Sequence, residues 1–199
     1  YYTCFDGEYY DTAVVNITIY PVNDAPIALV DLYEVNEDDT LIVEVPGVLA
    51  NDTDIDGDTL YAAIIDSTTH GTVTLAEDGL LSYIPHTDYN GTDSLYYTCF
   101  DGEYYDTAVV SIAIYPVNDV PEITIPDTVF FTFNEDDSMI SNFSSYISDI
   151  DSDSSLVLTA SNNVNINVNI DSFMVTFTAD TNWYGSEDII FTIDDQDMR

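Results

Sequence analysis

Residues 1–26 read YYTCFDGEYYDTAVVNITIYPVNDAP, and residues 96–121 read YYTCFDGEYYDTAVVSIAIYPVNDVP. The offset is 95 throughout, with three substitutions: Asn16 to Ser111, Thr18 to Ala113 and Ala25 to Val120. Each copy runs from the second half of one strand, through a turn, along an alternating strand, into Pro-Val-Asn-Asp-x-Pro. That hexapeptide has no Gly or Ser slack, and both prolines hold φ fixed. It reads as a stiff joint between stacked domains, with two metal-seeking side chains at its centre.

A repeat of this period divides the 199 residues into a stub at 1–26, a complete unit at 27–121 and a third unit at 122–199 that stops after its sixth strand. A unit of that size buries enough apolar surface to fold without disulfides. Both chain ends fall inside units, so the sequence is expected to be a piece of something longer. It contains neither a signal peptide nor an apolar run of about 18 residues.

Thirty-eight acidic residues stand against one basic residue, Arg199, for a net charge of −37. Phosphate binding needs Lys and Arg, so nucleic acid is excluded as a partner, and an anionic membrane surface is disfavoured for the same reason. Apolar residues make up 46% of the chain, with 16 Tyr and 9 Phe, which is enough to build cores and argues against disorder. A halophilic surface would scatter its acids evenly. Here they cluster in loops, as cation sites require.

In the complete unit, period-two runs broken by turn signals predict seven strands, at 27–35, 41–45, 59–65, 72–75, 80–84, 94–100 and 105–115. Glu77-Asp78-Gly79 and Asp101-Gly102 are the hairpin turns, and no helix longer than a turn is expected. The fold class is all-β, a rod of tandem seven-stranded Greek-key sandwiches of immunoglobulin type. The third unit repeats the landmarks: Asn134-Glu135-Asp136-Asp137 matches 36–39, and Asp149-Ile150-Asp151 matches Asp54-Ile55-Asp56.

Between the second and third of these strands, Asp52-Thr53-Asp54-Ile55-Asp56-Gly57-Asp58 fits D-x-D-x-D-G. Alternate carboxylates there converge on one hard cation, and Gly permits the sharp turn. An EF-hand is excluded, because the bidentate Glu position is taken by Ala63 and no helices flank the loop. The third unit repeats Asp149-x-Asp151-x-Asp153 at the same place. The bland alternative is a solvated acidic loop.

Taken together, V-N-D-A-P at 22–26, N-E-D at 36–38, the run at 46–58, H-G-T-V-T-L at 70–75, Y-N-G-T-D-S-L at 89–95 and the D-G turn make the chain resemble the cadherin-like tandem repeats of bacterial and archaeal surface proteins. The resemblance implies calcium at the joints of a long extracellular adhesin or fibre-forming surface protein. It also implies ligands: Asn23, Asp24, Asp54, Asp56 and Asp101 at the first joint, and Glu37, Asn118, Asp119, Asp149, Asp151 and Asp195 at the second. Asp52 and Asp58 join this set from the D-x-D-x-D-G loop. The linker departs from cadherins proper in lacking a leading Asp and a second Asn, and only Asp88 stands near the place of their Asp-Arg-Glu triplet.

Cys4 and Cys99 lie one repeat apart, too far along a rod of strands to be bridged within one chain. Cys99 aligns with Ile193 and reads as a buried free thiol in place of a core aliphatic. His70 and His86 read as turn residues, and Tyr9, Tyr10, Tyr104 and Tyr105 as half-buried strand residues or, alternatively, a sugar-binding platform. Sequons at Asn16, Asn51, Asn90 and Asn142 matter only in a glycosylating source. The expected function is therefore non-enzymatic: a calcium-rigidified stalk whose partners are neighbouring repeats and, by strand addition, other copies of the chain. The rival is a carbohydrate-binding module of a secreted protein.

Overall fold

A computed structural model describes residues 1–151 and 156–196. Asp153 of the repeated acidic loop lies outside the described residues. The chain divides into two compact units, Tyr1–Tyr115 and Pro116–Arg199.

The first unit opens with an antiparallel hairpin of β1 (Tyr2–Phe5) and β2 (Tyr10–Ala13). Seven strands follow: β3 (Asp31–Asn36), β4 (Leu41–Val43), β5 (Tyr61–Asp66), β6 (Gly71–Leu75), β7 (Leu81–Pro85), β8 (Gly91–Phe100) and β9 (Tyr105–Tyr115). They form a four-stranded sheet in the order β3-β9-β8-β5 and a three-stranded sheet in the order β4-β7-β6. Strand β3 runs parallel to β9, from Asp31 opposite Val110 to Asn36 opposite Tyr115, whereas β8 and β9 form a long antiparallel hairpin. The alternation read from the sequence sends Leu95, Tyr97 and Cys99 of β8, and Val110, Ile112 and Ile114 of β9, onto Leu81 and Tyr83 of β7. Each such side chain, fully buried, contributes about 1.5–3 kcal/mol. The sandwich is all-β, and the helical pieces among the described residues are single 3-10 turns at Gly47–Leu49 and Ser144–Tyr146.

The first strand differs from the sequence expectation, which began it at Ile27. Ile27 instead pairs with Thr53 in an isolated bridge, and the chain joins β9 only from Asp31. The interruption has a local cause. The N–H groups of Ala28 and Leu29 donate to the carboxylates of Asp106 (3.0 Å) and Asp52 (2.8 Å) rather than to a neighbouring strand. Val45, the last residue of the strand expected at 41–45, is exposed past the end of β4.

The second unit holds β10 (Glu122–Ile123), β11 (Ser138–Asn142), β12 (Ile147–Ser148), β13 (Val157–Ser161), β14 (Ile166–Asp171), β15 (Met174–Ala179) and β16 (Ile190–Asp194). The pairs β10-β12 and β13-β16 match the Ile27 bridge and the β5-β8 pair, and β11-β15-β14 matches the three-stranded sheet. Residues 128–134 form no strand. Their counterpart β3 pairs with β9, and at the repeat spacing a β9 equivalent would fall past residue 199. The core gathers Phe143, Leu158, Val175, Phe177 and Ile193.

Candidate cation site at the linkers

The sandwich brings the linker acids and the loop acids together inside each unit. In the first, Asn23 Nδ2 donates to Asp101 Oδ2 at 3.0 Å, and the Asp24 N–H donates to Asp56 Oδ2 at 2.8 Å. In the second, Asn118 Nδ2 donates to Asp195 Oδ2 and the Asp119 N–H to Asp151 Oδ2, both at 2.6 Å. The same Asn-Asp pair thus grips the same two carboxylates in both units. Asp101 and Asp195 sit just after β8 and β16, while Asp56 and Asp151 sit in the acidic loops, so the linker spans strand end and loop.

Asp54 organises its own loop. Its Oδ1 accepts the N–H groups of Asp56 (2.9 Å), Gly57 (2.9 Å) and Asp58 (3.2 Å). Gly57, at φ +80, permits the turn that aims these donors inward. The other oxygen, Oδ2, is buried and has no hydrogen-bond partner, and the same holds for Oδ2 of the equivalent Asp149. Asp149 Oδ1 likewise accepts the N–H of Asp151, at 2.9 Å. A buried carboxylate oxygen left unpaired is costly, and at matching places in two units it marks where a cation fits. The donor set is oxygen from carboxylates and one Asn amide per unit, the chemistry of calcium rather than of zinc or copper.

Asp101 keeps its charge easily. Burial works to raise its pKa, but the N–H groups of Glu103 (2.7 Å) and Tyr104 (2.6 Å) and the amide of Asn23 outweigh it and hold the carboxyl below the usual range.

Asp52 stands apart from the other loop acids. It is 9% exposed and turned into the domain, where Oδ1 accepts the Leu29 N–H and both oxygens lie within hydrogen-bond reach of the Tyr97 hydroxyl (3.2 and 3.0 Å). The sequence carried a signal for this, because its counterpart at the repeat spacing is the apolar Ile147. Asp58 is exposed, and its backbone N–H rather than its carboxylate joins the loop network.

Glu37 lies at the other end of the first unit. It is buried, its N–H donates to Tyr115 O at 2.8 Å, and its Oε2 accepts from Asn90 Nδ2 at 3.4 Å. Beside it, carboxylate oxygens of Asp38 and Asp88 come within 4.8 Å of each other, both residues with left-handed backbone at φ 63 and 56. Sequence reasoning left Asp38 and Asn90 out of the site and had Asp88 only as a stand-in for the missing Asp-Arg-Glu triplet. They are separated by up to 52 residues, and only the fold makes them neighbours.

Cys99 is buried in the core and Cys4 exposed, both as free thiols. His70 lies flat on the Tyr89 ring, with centroids 4.1 Å apart. Tyr104 and Tyr105 are exposed rather than half-buried.

The run that carries these features, residues 23–116, matches the family model of the bacterial cadherin-like domain. Residues 23–116 are similar to the bacterial cadherin-like domain. Among solved structures, Drosophila N-cadherin EC1-4 is similar at 16% identity and a TM-score of 0.47, over 77% of this chain and 41% of that one. An endo-fucoidan hydrolase of glycoside hydrolase family 107 is similar at 13% identity and a TM-score of 0.40, over 91% of this chain and 28% of the hydrolase. Titin domains Z1Z2 in complex with telethonin align at 9% identity and a TM-score of 0.31. The chain thus spans under a third of the hydrolase's length. No curated protein matches the sequence. Among the described residues, no helix of the cadherin-like domain or of the second unit is long and apolar enough to cross a membrane.

Proposed function

We propose that this chain is a non-enzymatic, calcium-rigidified segment of a large extracellular adhesin or fibre-forming surface protein, read as a stub, a complete repeat and a third repeat, with neighbouring repeats as its partners. The observation that carries the reading is the pair of buried, unpartnered Oδ2 atoms on Asp54 and Asp149, each in an acidic loop already gripped by a linker Asn-Asp pair. Asn23, Asp24, Asp54, Asp56 and Asp101 would hold one ion, and Asn118, Asp119, Asp149, Asp151 and Asp195 another.

Calcium would supply positive charge to carboxylates that otherwise repel one another. Binding favours whichever linker conformation holds the ligands best, so a bendable linker becomes a strut only through that difference in affinity. Cadherin-like domains typically serve adhesion or surface architecture without catalysis, which supports the same reading.

Calorimetric calcium titration of the chelator-stripped chain tests it. Saturable binding with a rise in melting temperature is expected, and a melting curve indifferent to calcium would sink the proposal.

A carbohydrate-binding module is the second reading. It draws on a row of exposed aromatics, Tyr61, Phe100 and Tyr105, directly opposite one another across β5, β8 and β9. A glycan array separates the two, because a stalk binds nothing above background.

A further inference from the structure

We infer that Tyr97 and Asp52 are positioning residues for the calcium-facing carboxylates of the first unit, and that its site is in consequence the tighter of the two. This inference rests on the calcium reading above.

Three consecutive residues ahead of Asp54 are fastened to the domain. Asn51 Nδ2 donates to Val30 O at 3.1 Å, Asp52 takes the bonds already described, and Thr53 exchanges both backbone bonds with Ile27 (2.8 and 3.0 Å). The Asp52 bonds are the buried ones. The Tyr97 hydroxyl, on a fully buried ring of β8, sits 3.0 Å from Asp52 Oδ2 and 3.0 Å from the Val48 carbonyl. Asp54 follows two residues later, with Oδ1 holding the turn and Oδ2 free for an ion. A buried charge-assisted bond is strong and directional, so the segment leading into the loop has little freedom.

The second unit supplies an internal comparison. At the repeat spacing Asp52 becomes Ile147. The pairing of Cys99 with Ala62 and of Ile193 with Leu158 puts Phe191 where Tyr97 stands. The match of Asn36 with Asn134 puts Val129 where Asp31 stands, and Cys99 becomes Ile193, so four positions change from polar or thiol to hydrocarbon together. Ile147, Phe191 and Ile193 pack into that unit's core. Apolar packing is non-directional. It anchors the segment but does not orient it as a bonded carboxylate does, and calcium affinity depends on site rigidity as well as ligand charge.

The test is calcium titration of the full chain by calorimetry, with Asp54→Asn used to assign the first unit's binding class. Two classes are expected in the unaltered chain, the tighter one lost in Asp54→Asn. Tyr97→Phe should weaken that class about tenfold and leave the weaker class unchanged, with Asp52→Asn as a second variant of the same bond. Tyr83→Phe is the control for lost stability alone. Its buried hydroxyl donates to Asp93 at 2.9 Å, toward the opposite end of β8, so its loss should lower the melting point without moving either affinity. Unchanged affinities in folded Tyr97→Phe and Asp52→Asn overturn this inference while the calcium reading stands. No calcium binding by the unaltered chain overturns both.

Discussion

The backbone N–H of Asp24 donates to Asp56 Oδ2 across 2.8 Å, so two acidic residues meet through a main-chain dipole while their carboxylates remain in each other's field. The linker is thereby held to the domain that follows it before any ion arrives. Asp119 and Asp151 repeat the relationship at 2.6 Å.

Calcium should therefore stabilise a preformed arrangement. A ligand at 100 times its dissociation constant adds about 2.7 kcal/mol per site, read as a higher melting temperature in calcium than in chelator. Asp54→Asn should remove the first unit's share and keep the second's. Equal calcium-induced shifts in the variant and the unaltered chain would contradict this.

Asp31 makes stability depend on pH in the opposite sense to an ordinary salt bridge. Burial, with the nearby charge of Asp52, pushes its carboxyl up to about 6, while the Tyr97 and Tyr33 hydroxyls work the other way. Its folded pKa lies above its unfolded value of 3.8. Its favourable contribution is therefore complete below pH 4 and is lost as the pH rises through 6, at a cost on the order of 3 kcal/mol. In calcium-free buffer, Asp31→Asn should raise the urea midpoint at pH 7.5 and do little near pH 4. An equal effect at both pH values would refute the assignment.

At the opposite end of β8, Asp93 behaves conversely. Burial favours its protonation, yet the N–H groups of Thr69, His70 and Ser94 and the Tyr83 hydroxyl outweigh it and hold the carboxyl below its ordinary range. That stability is present above the unfolded value and lost as the pH falls through the folded one. Asp93→Asn should cost about 3 kcal/mol in urea unfolding at pH 7, and the deficit should shrink in acid.

The two cysteines should differ in reactivity. Burial, reinforced by Asp52, pushes the Cys99 thiol up to about 12, whereas Cys4 is exposed. A chromogenic disulfide reagent should titrate one thiol per native chain and a second only after denaturation. Two fast-reacting thiols would mean that the core around Cys99 opens.

Much of this was legible from the repeat. Strand positions and hairpin turns follow from local alternation, and the fixed spacing carries Asn23-Asp24 to Asn118-Asp119 and Asp54 to Asp149; the pairing of linker with loop, and Asp195 with it, came from the resemblance to cadherin-like repeats. Asp38 and Asn90 were not, and Asp88 was seen only as a stand-in for a missing triplet, because nothing in their neighbours marks the three as adjacent. Asp52 and Asp54 sit two apart in one acidic run and read alike, yet one faces the core and the other the linker.

The sequence by itself determined that this is an all-β chain with acids gathered at domain ends, since period-two alternation and turn residues act over a few neighbours. Only the tertiary structure decided which of those acids are available to a cation. Asp52 is claimed by a hydroxyl 45 residues away, and the direction of a carboxylate in an irregular loop is set by such distant donors rather than by its place in the run.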